Sequence, residues 1–169
     1  MAAPVDAAWQ LLNDVPAVVP CMPGAELVEA VGDDAWKAAL QVKLGPIALR
    51  FAADVTRIER DDEAHRAVLA VKAREAKGRG TAEATITSTV TQADGATQVR
   101  LVTDLALRGG VAQYGRGVVA DVSSRLTEQF AACLEQKLAA AGDEPPPAVP
   151  ISGIRLLFGA LWRSLTGRR

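Results

Sequence analysis

The sequence predicts an α+β domain: a short opening helix, an antiparallel sheet built as a meander, and one long helix covering the sheet's apolar face. Three observations carry this. From Ala25 to Leu107 apolar and polar residues largely alternate, the period of a half-buried strand. From Val111 to Leu138 the apolar residues step by three or four instead, the period of an amphipathic helix. Hydrophobic residues make up 49% of the 169-residue chain, enough for one sizeable core.

Pro4-Val5-Asp6 opens the first helix. Proline suits the first turn, and Asp6 suits its positive end. Val5, Ala8, Trp9 and Leu12 recur at helical spacing, and Asn13-Asp14 stops the run. Between Pro16 and Pro20 there is room only for a short second helical turn, and Pro23-Gly24 is turn chemistry. Trp36, Leu40, Val42 and Leu44 then alternate with Lys37, Gln41 and Lys43 until Gly45-Pro46 breaks the strand. Ile47, Leu49, Phe51, Ala53 and Val55 form the next one, and a slip of the apolar phase at Ile58 predicts a β-bulge. A charged turn at Arg60–Glu63 leads to Leu69, Val71 and Ala73. Ala82, Ala84, Ile86 and Val90 follow, with threonines on the other face. After the turn Ala93-Asp94-Gly95, Val99, Leu101, Leu105 and Leu107 make the last strand. Gly109-Gly110 ends the sheet, and Val111, Tyr114, Val118, Val122, Leu126, Phe130, Leu134 and Leu138 mark a helix of roughly 30 residues, well above the average length. A helix that long with one apolar face has to lie on something, and the sheet is the available partner.

Three segments follow: a domain over 1–141, a Pro-rich semi-rigid linker over 142–150, and a basic amphipathic tail helix over 151–169. After Glu144 there are four arginines and no acid, so the tail carries +4 and the remainder -5 of a net charge of -1. Ile151, Ile154, Phe158, Leu161 and Leu165 step by three and four, with Leu157 and Trp162 widening the stripe. Arg155, Arg163, Arg168 and Arg169 supply the charge. Fifteen helical residues reach ~22 Å, short of the ~30 Å hydrocarbon core, so the tail is expected to lie in a membrane interface rather than span it. Docking into a partner's groove is the rival expectation, and disorder, favoured by Gly153 and Gly159, is a third.

Catalytic groups are scarce. His65, the single histidine, stands beside Asp61-Asp62-Glu63 and reads as a solvated turn residue. Glu26, Glu29, Asp54, Glu59 and Glu83 fall on polar strand positions, a solvated face rather than an acid/base pair. No cluster of histidine, cysteine and acid supports a metal site. Gly109-Gly110…Gly115-Arg116-Gly117 lacks phosphate-loop spacing and reads as a flexible corner. Cys21 and Cys133 are expected as two separate thiols in a reducing cytoplasm. The near-neutral charge gives no reason to expect nucleic acid. The start of the chain has no secretory pattern, and no stretch has the ~20 apolar residues of a spanning helix.

The order of elements resembles the START-like (SRPBCC, helix-grip) superfamily, and within it the CoxG family associated with carbon monoxide dehydrogenase. The resemblance rests on Ala3-Pro4 through Trp9-Gln10-Leu11-Leu12-Asn13-Asp14, Cys21-Met22-Pro23-Gly24, Val42-Lys43-Leu44-Gly45-Pro46-Ile47, Gly78-Arg79-Gly80 and Gly109-Gly110…Gln113…Gly115. It implies a helix-grip fold: a curved antiparallel sheet wrapped on the long C-terminal helix, with an apolar cavity between them. It further implies a non-enzymatic accessory protein that binds a quinone or other apolar lipid, with no covalent cofactor. The implied partner is a molybdenum hydroxylase of the carbon monoxide dehydrogenase type, recruited to the inner face of the cell membrane. One departure stands out: the family usually has a further strand before the Ala-Pro element, and here Met1-Ala2-Ala3 precede Pro4, so the sheet is expected either to have a bare edge or to be completed by chain before Met1.

Few aromatics and many inward alanines independently favour a hollow, since small side chains fill space badly. The expected lining is Leu40, Val42, Phe51, Val55, Leu69, Val71, Ala84, Ile86, Leu101, Leu105, Tyr114, Val118 and Val122. Two other functions stay open on the residues alone: a scaffold with a solid core, and an enzyme acting on a small apolar substrate.

Overall fold

The computed structural model describes residues 3–142. The tail, with Ile151, Ile154, Arg155, Leu157, Phe158, Leu161, Trp162, Arg163, Leu165, Arg168 and Arg169, lies outside the described residues, as does the linker after Gly142.

Helix α1 spans Val5–Asn13 and α2 Val15–Val18, followed by a 3-10 turn at Val19–Cys21. Six strands come next: β1 Ala25–Ala30, β2 Ala35–Leu44, β3 Ile47–Asp61, β4 Arg66–Glu75, β5 Gly80–Ala93 and β6 Ala96–Gly109. Each pairs antiparallel with its sequence neighbour, so among the described residues the sheet has the order β1-β2-β3-β4-β5-β6. A 3-10 turn at Gly110–Tyr114 leads into α3, Gly115–Gly142. This is the expected α+β helix-grip fold, with two refinements. The alternation after Ala25 divides into β1 and β2 around the turn at Asp33-Asp34. The long helix starts at Gly115, because Val111 and Tyr114 belong to the 3-10 turn before it.

The sheet curves where its register slips. One slip falls between Leu27 and Glu29 of β1, the other between Arg57 and Glu59 of β3, around the Ile58 at which the pattern predicts a bulge. At the far end β5 and β6 close so tightly that only glycine fits. A Cβ on Gly80 would sit 2.1 Å from the Arg108 carbonyl oxygen. That approach lets the Val111 N–H donate to the Arg79 carbonyl at 2.9 Å, turning the chain off the sheet and into α3.

Burial is uneven along α3. Its second half carries the deeply buried Phe130, Leu134 and Leu138. Leu134 and Phe130 pack with Val18 and Cys21, and Leu138 packs with Ala8, Trp9, Ala67 and Val90. A third cluster, Leu49, Phe51, Ala73 and Val111, sits at the opposite end of the sheet.

Polar pins hold α1 on the closed end. Arg57 donates from Nη1 to the Asn13 carbonyl at 2.9 Å, satisfying the end of α1, and its guanidinium lies 5.4 Å from the Trp36 ring centre. The Trp9 indole N–H donates to Asp62 Oδ1 at 2.8 Å. His65 is more than a solvated turn residue. Its ring stands edge-on to Trp9 at 5.6 Å, and its Nε2 is 3.4 Å from Asp6 Oδ1.

The cysteines correct the expectation of separate thiols: Cys21 and Cys133 form a disulfide, with Cα atoms 5.3 Å apart. The expectation rested on compartment statistics alone. The fold brings the 3-10 turn after α2 against the middle of α3, placing side chains 112 positions apart in sequence face to face.

Candidate functional site

Between the first half of α3 and the sheet lies an apolar cavity of about 260 Å³. Its floor follows from strand register. Ala53, Ala73 and Ala82 stand side by side on β3, β4 and β5, making a furrow of methyl groups. Larger side chains flank it: Leu40 opposite Phe51 on one side, Val71 opposite Ala84 beside Leu105 on the other. The roof is the α3 face formed by Val119, Val122, Ser123 and Leu126. Tyr114 and Val111 line the end where the chain enters α3. Because the furrow is alanine, the helix cannot fill the gap without bulkier side chains of its own, and it presents valines there.

Of the residues expected from the sequence, Leu40, Val42, Phe51, Val71, Ala84, Ile86, Leu105, Tyr114 and Val122 line this cavity. Four do not. Leu101 packs instead against the buried cluster of Val18, Cys21, Phe130 and Leu134. Val55 stands opposite the buried Trp36, and Leu69 opposite Arg57, both towards the closed end. Val118 is 41% exposed, because the helix turns Val119 and Val122 inward. Sequence reasoning passed over Leu44, Leu49, Ala53, Ala73, Ala82 and Leu107 as lining. Strict alternation contained them all; the alanines were missed because small residues carry little hydropathy signal.

The electrostatics at the rim are those of a built corner. Glu75, the last residue of β4, is buried, and its Oε2 accepts the N–H groups of Lys77 at 2.8 Å and Arg79 at 3.1 Å. Burial pushes its carboxyl up, but those donors and the Arg79 guanidinium outweigh burial and hold it below the ordinary value. Asp62, near α1, is also held below its ordinary value, first by the Arg60 hydrogen bond and then by the Trp9 indole. Neither carboxylate lines the cavity. Among the described residues no group of three or more histidines, cysteines and acids is placed to hold a metal. No described helix is long and apolar enough to cross a membrane.

A second depression, about 520 Å³, lies against the sheet and is lined by Lys37, Asp54, Lys72, Arg74 and Glu83 together with alanines. Its register opposes Lys37 to Asp54 and Lys72 to Glu83, so charges of both signs alternate across the strands. That is the character of a solvated face, and the enclosure by α3 marks the apolar cavity as the candidate site.

The family model for the carbon monoxide dehydrogenase protein CoxG matches residues 1–139. Among solved structures, the chain is similar to a conserved protein from Geobacillus kaustophilus, with a TM-score of 0.72 and 23% identity over 82% of this chain and 90% of that one. It is also similar to an aromatase/cyclase from Streptomyces sp. R1128, with a TM-score of 0.56 and 18% identity over 83% of this chain and 92% of that one. At those identities the likeness is one of fold. No curated protein matches the chain.

Proposed function

The chain belongs to the CoxG family of carbon monoxide dehydrogenase, and from that premise we propose that it is a non-enzymatic accessory of a molybdenum hydroxylase of the carbon monoxide dehydrogenase type, binding a quinone or other apolar lipid and recruiting the enzyme to the membrane. The apolar cavity under α3 carries the ligand part of this reading: a hollow floored by an alanine furrow and roofed by valines takes hydrocarbon and offers an enzyme little to work with. Among the described residues its lining holds no histidine, acid or cysteine, which favours a carrier over the catalytic alternative. Recruitment rests on the sequence of residues 151–169, whose apolar stripe and four arginines suit an anionic interface on the cytoplasmic side.

Mass spectrometry of an organic extract of the full chain, purified without detergent, tests the carrier reading. The expected result is a hydrophobic small molecule near one per chain. An empty extract, together with no uptake of added apolar probe, would return the protein to the scaffold class.

A further inference from the structure

The chemistry of the cavity wall narrows what enters it; the inference rests on the carrier reading above. Every described lining side chain is hydrocarbon except two, Tyr114 and Ser123. No lysine, arginine or histidine among the described residues lines the cavity. A carboxylate or phosphate drawn inside would therefore lose its hydration with no cation to receive it, and apolar packing does not offset the burial of an unpaired charge. An ammonium group meets the same obstacle, since no described acid lines the wall either.

A pure hydrocarbon fits less well than it first promises. Tyr114 packs beside the Leu49, Phe51, Ala73 and Val111 cluster, which fixes its ring. Its hydroxyl has no hydrogen-bond partner among the described residues. Among those residues no enclosed side-chain oxygen or nitrogen lacks a partner, so this hydroxyl opens onto accessible space. A ligand that displaced water from it without replacing the bond would leave a donor unsatisfied. Ser123 is less demanding: it is exposed, and a helical serine can bond to its own preceding turn.

We propose that the cavity takes an uncharged amphiphile with a hydrogen-bond-accepting oxygen, which the Tyr114 hydroxyl receives at the α3 entry. Fatty acids and phospholipid headgroups are thereby excluded from the interior. The cavity is smaller than the ~300–1,000 Å³ of common ligand pockets, so a longer molecule keeps part of itself outside. Leu105 marks the exit, because it lines the cavity and is also 44% exposed.

Three probes of equal chain length separate the cases: 2-tridecanone, tridecane and tridecanoate, each competed against N-phenyl-1-naphthylamine fluorescence on the full chain. The wild type should rank ketone first, alkane second and carboxylate last. Tyr114→Phe should weaken the ketone about fivefold more than it weakens the alkane, the worth of one neutral hydrogen bond; circular dichroism establishes that the variant is folded. Carboxylate binding as tight as ketone would overturn the proposal, and so would equal losses for ketone and alkane in the variant. If no probe and no reporter binds the wild type, the carrier reading fails and this inference falls with it.

Discussion

The two halves of α3 do different work. The second half is sealed: Phe130, Leu134 and Leu138 are buried against α1, α2 and the sheet, and Cys133 is bonded to Cys21. The first half, from Gly115 to Leu126, stands over the alanine furrow, with Val119, Val122 and Leu126 only half buried. One helix therefore serves as a fixed stem at one end and a cavity roof at the other. The lesson is that stability and binding are separated along a single element, so substitutions can address one without the other.

The largest effect should come from the sealed half. Leu134 is 1% exposed, and Leu134→Ala should cost about 2–5 kcal/mol by leaving a hole in a packed cluster. Val122→Ala on the roof borders space that is already empty and should cost no more than about 1 kcal/mol. Urea unfolding of both variants checks the contrast, and similar costs would break it. Next comes the disulfide. It closes a loop of 112 positions, so Cys21→Ser with Cys133→Ser should destabilise by about 2–4 kcal/mol, measured against the wild type with and without dithiothreitol. A reductant that lowers the melting temperature of the wild type should leave the double variant unmoved.

A smaller change in stability, with a large change in binding, is expected from filling the furrow. Ala84→Phe should shift stability by about 1 kcal/mol or less while abolishing uptake of N-phenyl-1-naphthylamine, since the space already exists. A drop of several kcal/mol would mean that the floor is already packed. The smallest effect concerns the corner at the end of β4. The folded Glu75 carboxyl lies below its ordinary value of 4.5, so its contribution is complete above that value and is lost as pH falls through the folded one. Glu75→Gln should therefore flatten the fall of stability below about pH 4.5 seen in the wild type. Identical acid limbs for the two proteins would assign the corner's stability elsewhere.

The sequence reads well wherever a period runs undisturbed. The meander, the bulge at Ile58 and the stop at Asn13-Asp14 all follow from alternation, phase slip and capping chemistry. Nine of the thirteen expected lining residues lie on the wall because strand parity assigns faces without reference to distant contacts. What parity does not supply is position along the strand. Leu101 and Leu105 share a face, yet Leu101 belongs to the sealed core and Leu105 to the cavity, a division set by where α3 crosses. Val118 shows the same limit on the helix, where steps of three and four both fit an apolar stripe and only packing decides between Val118 and Val119. The Cys21–Cys133 bond and the Trp9–Asp62 contact join segments far apart in the chain, which local pattern does not reach.

Amide hydrogen exchange along α3, read by mass spectrometry with and without saturating 2-tridecanone, tests the central claim most directly. The account predicts fast exchange over Gly115–Leu126 in the free protein, slow exchange over Phe130–Leu138, and ligand protection confined to the first segment and the facing strands. Uniform slow exchange along the whole helix, or protection appearing only over Phe130–Leu138, would contradict it.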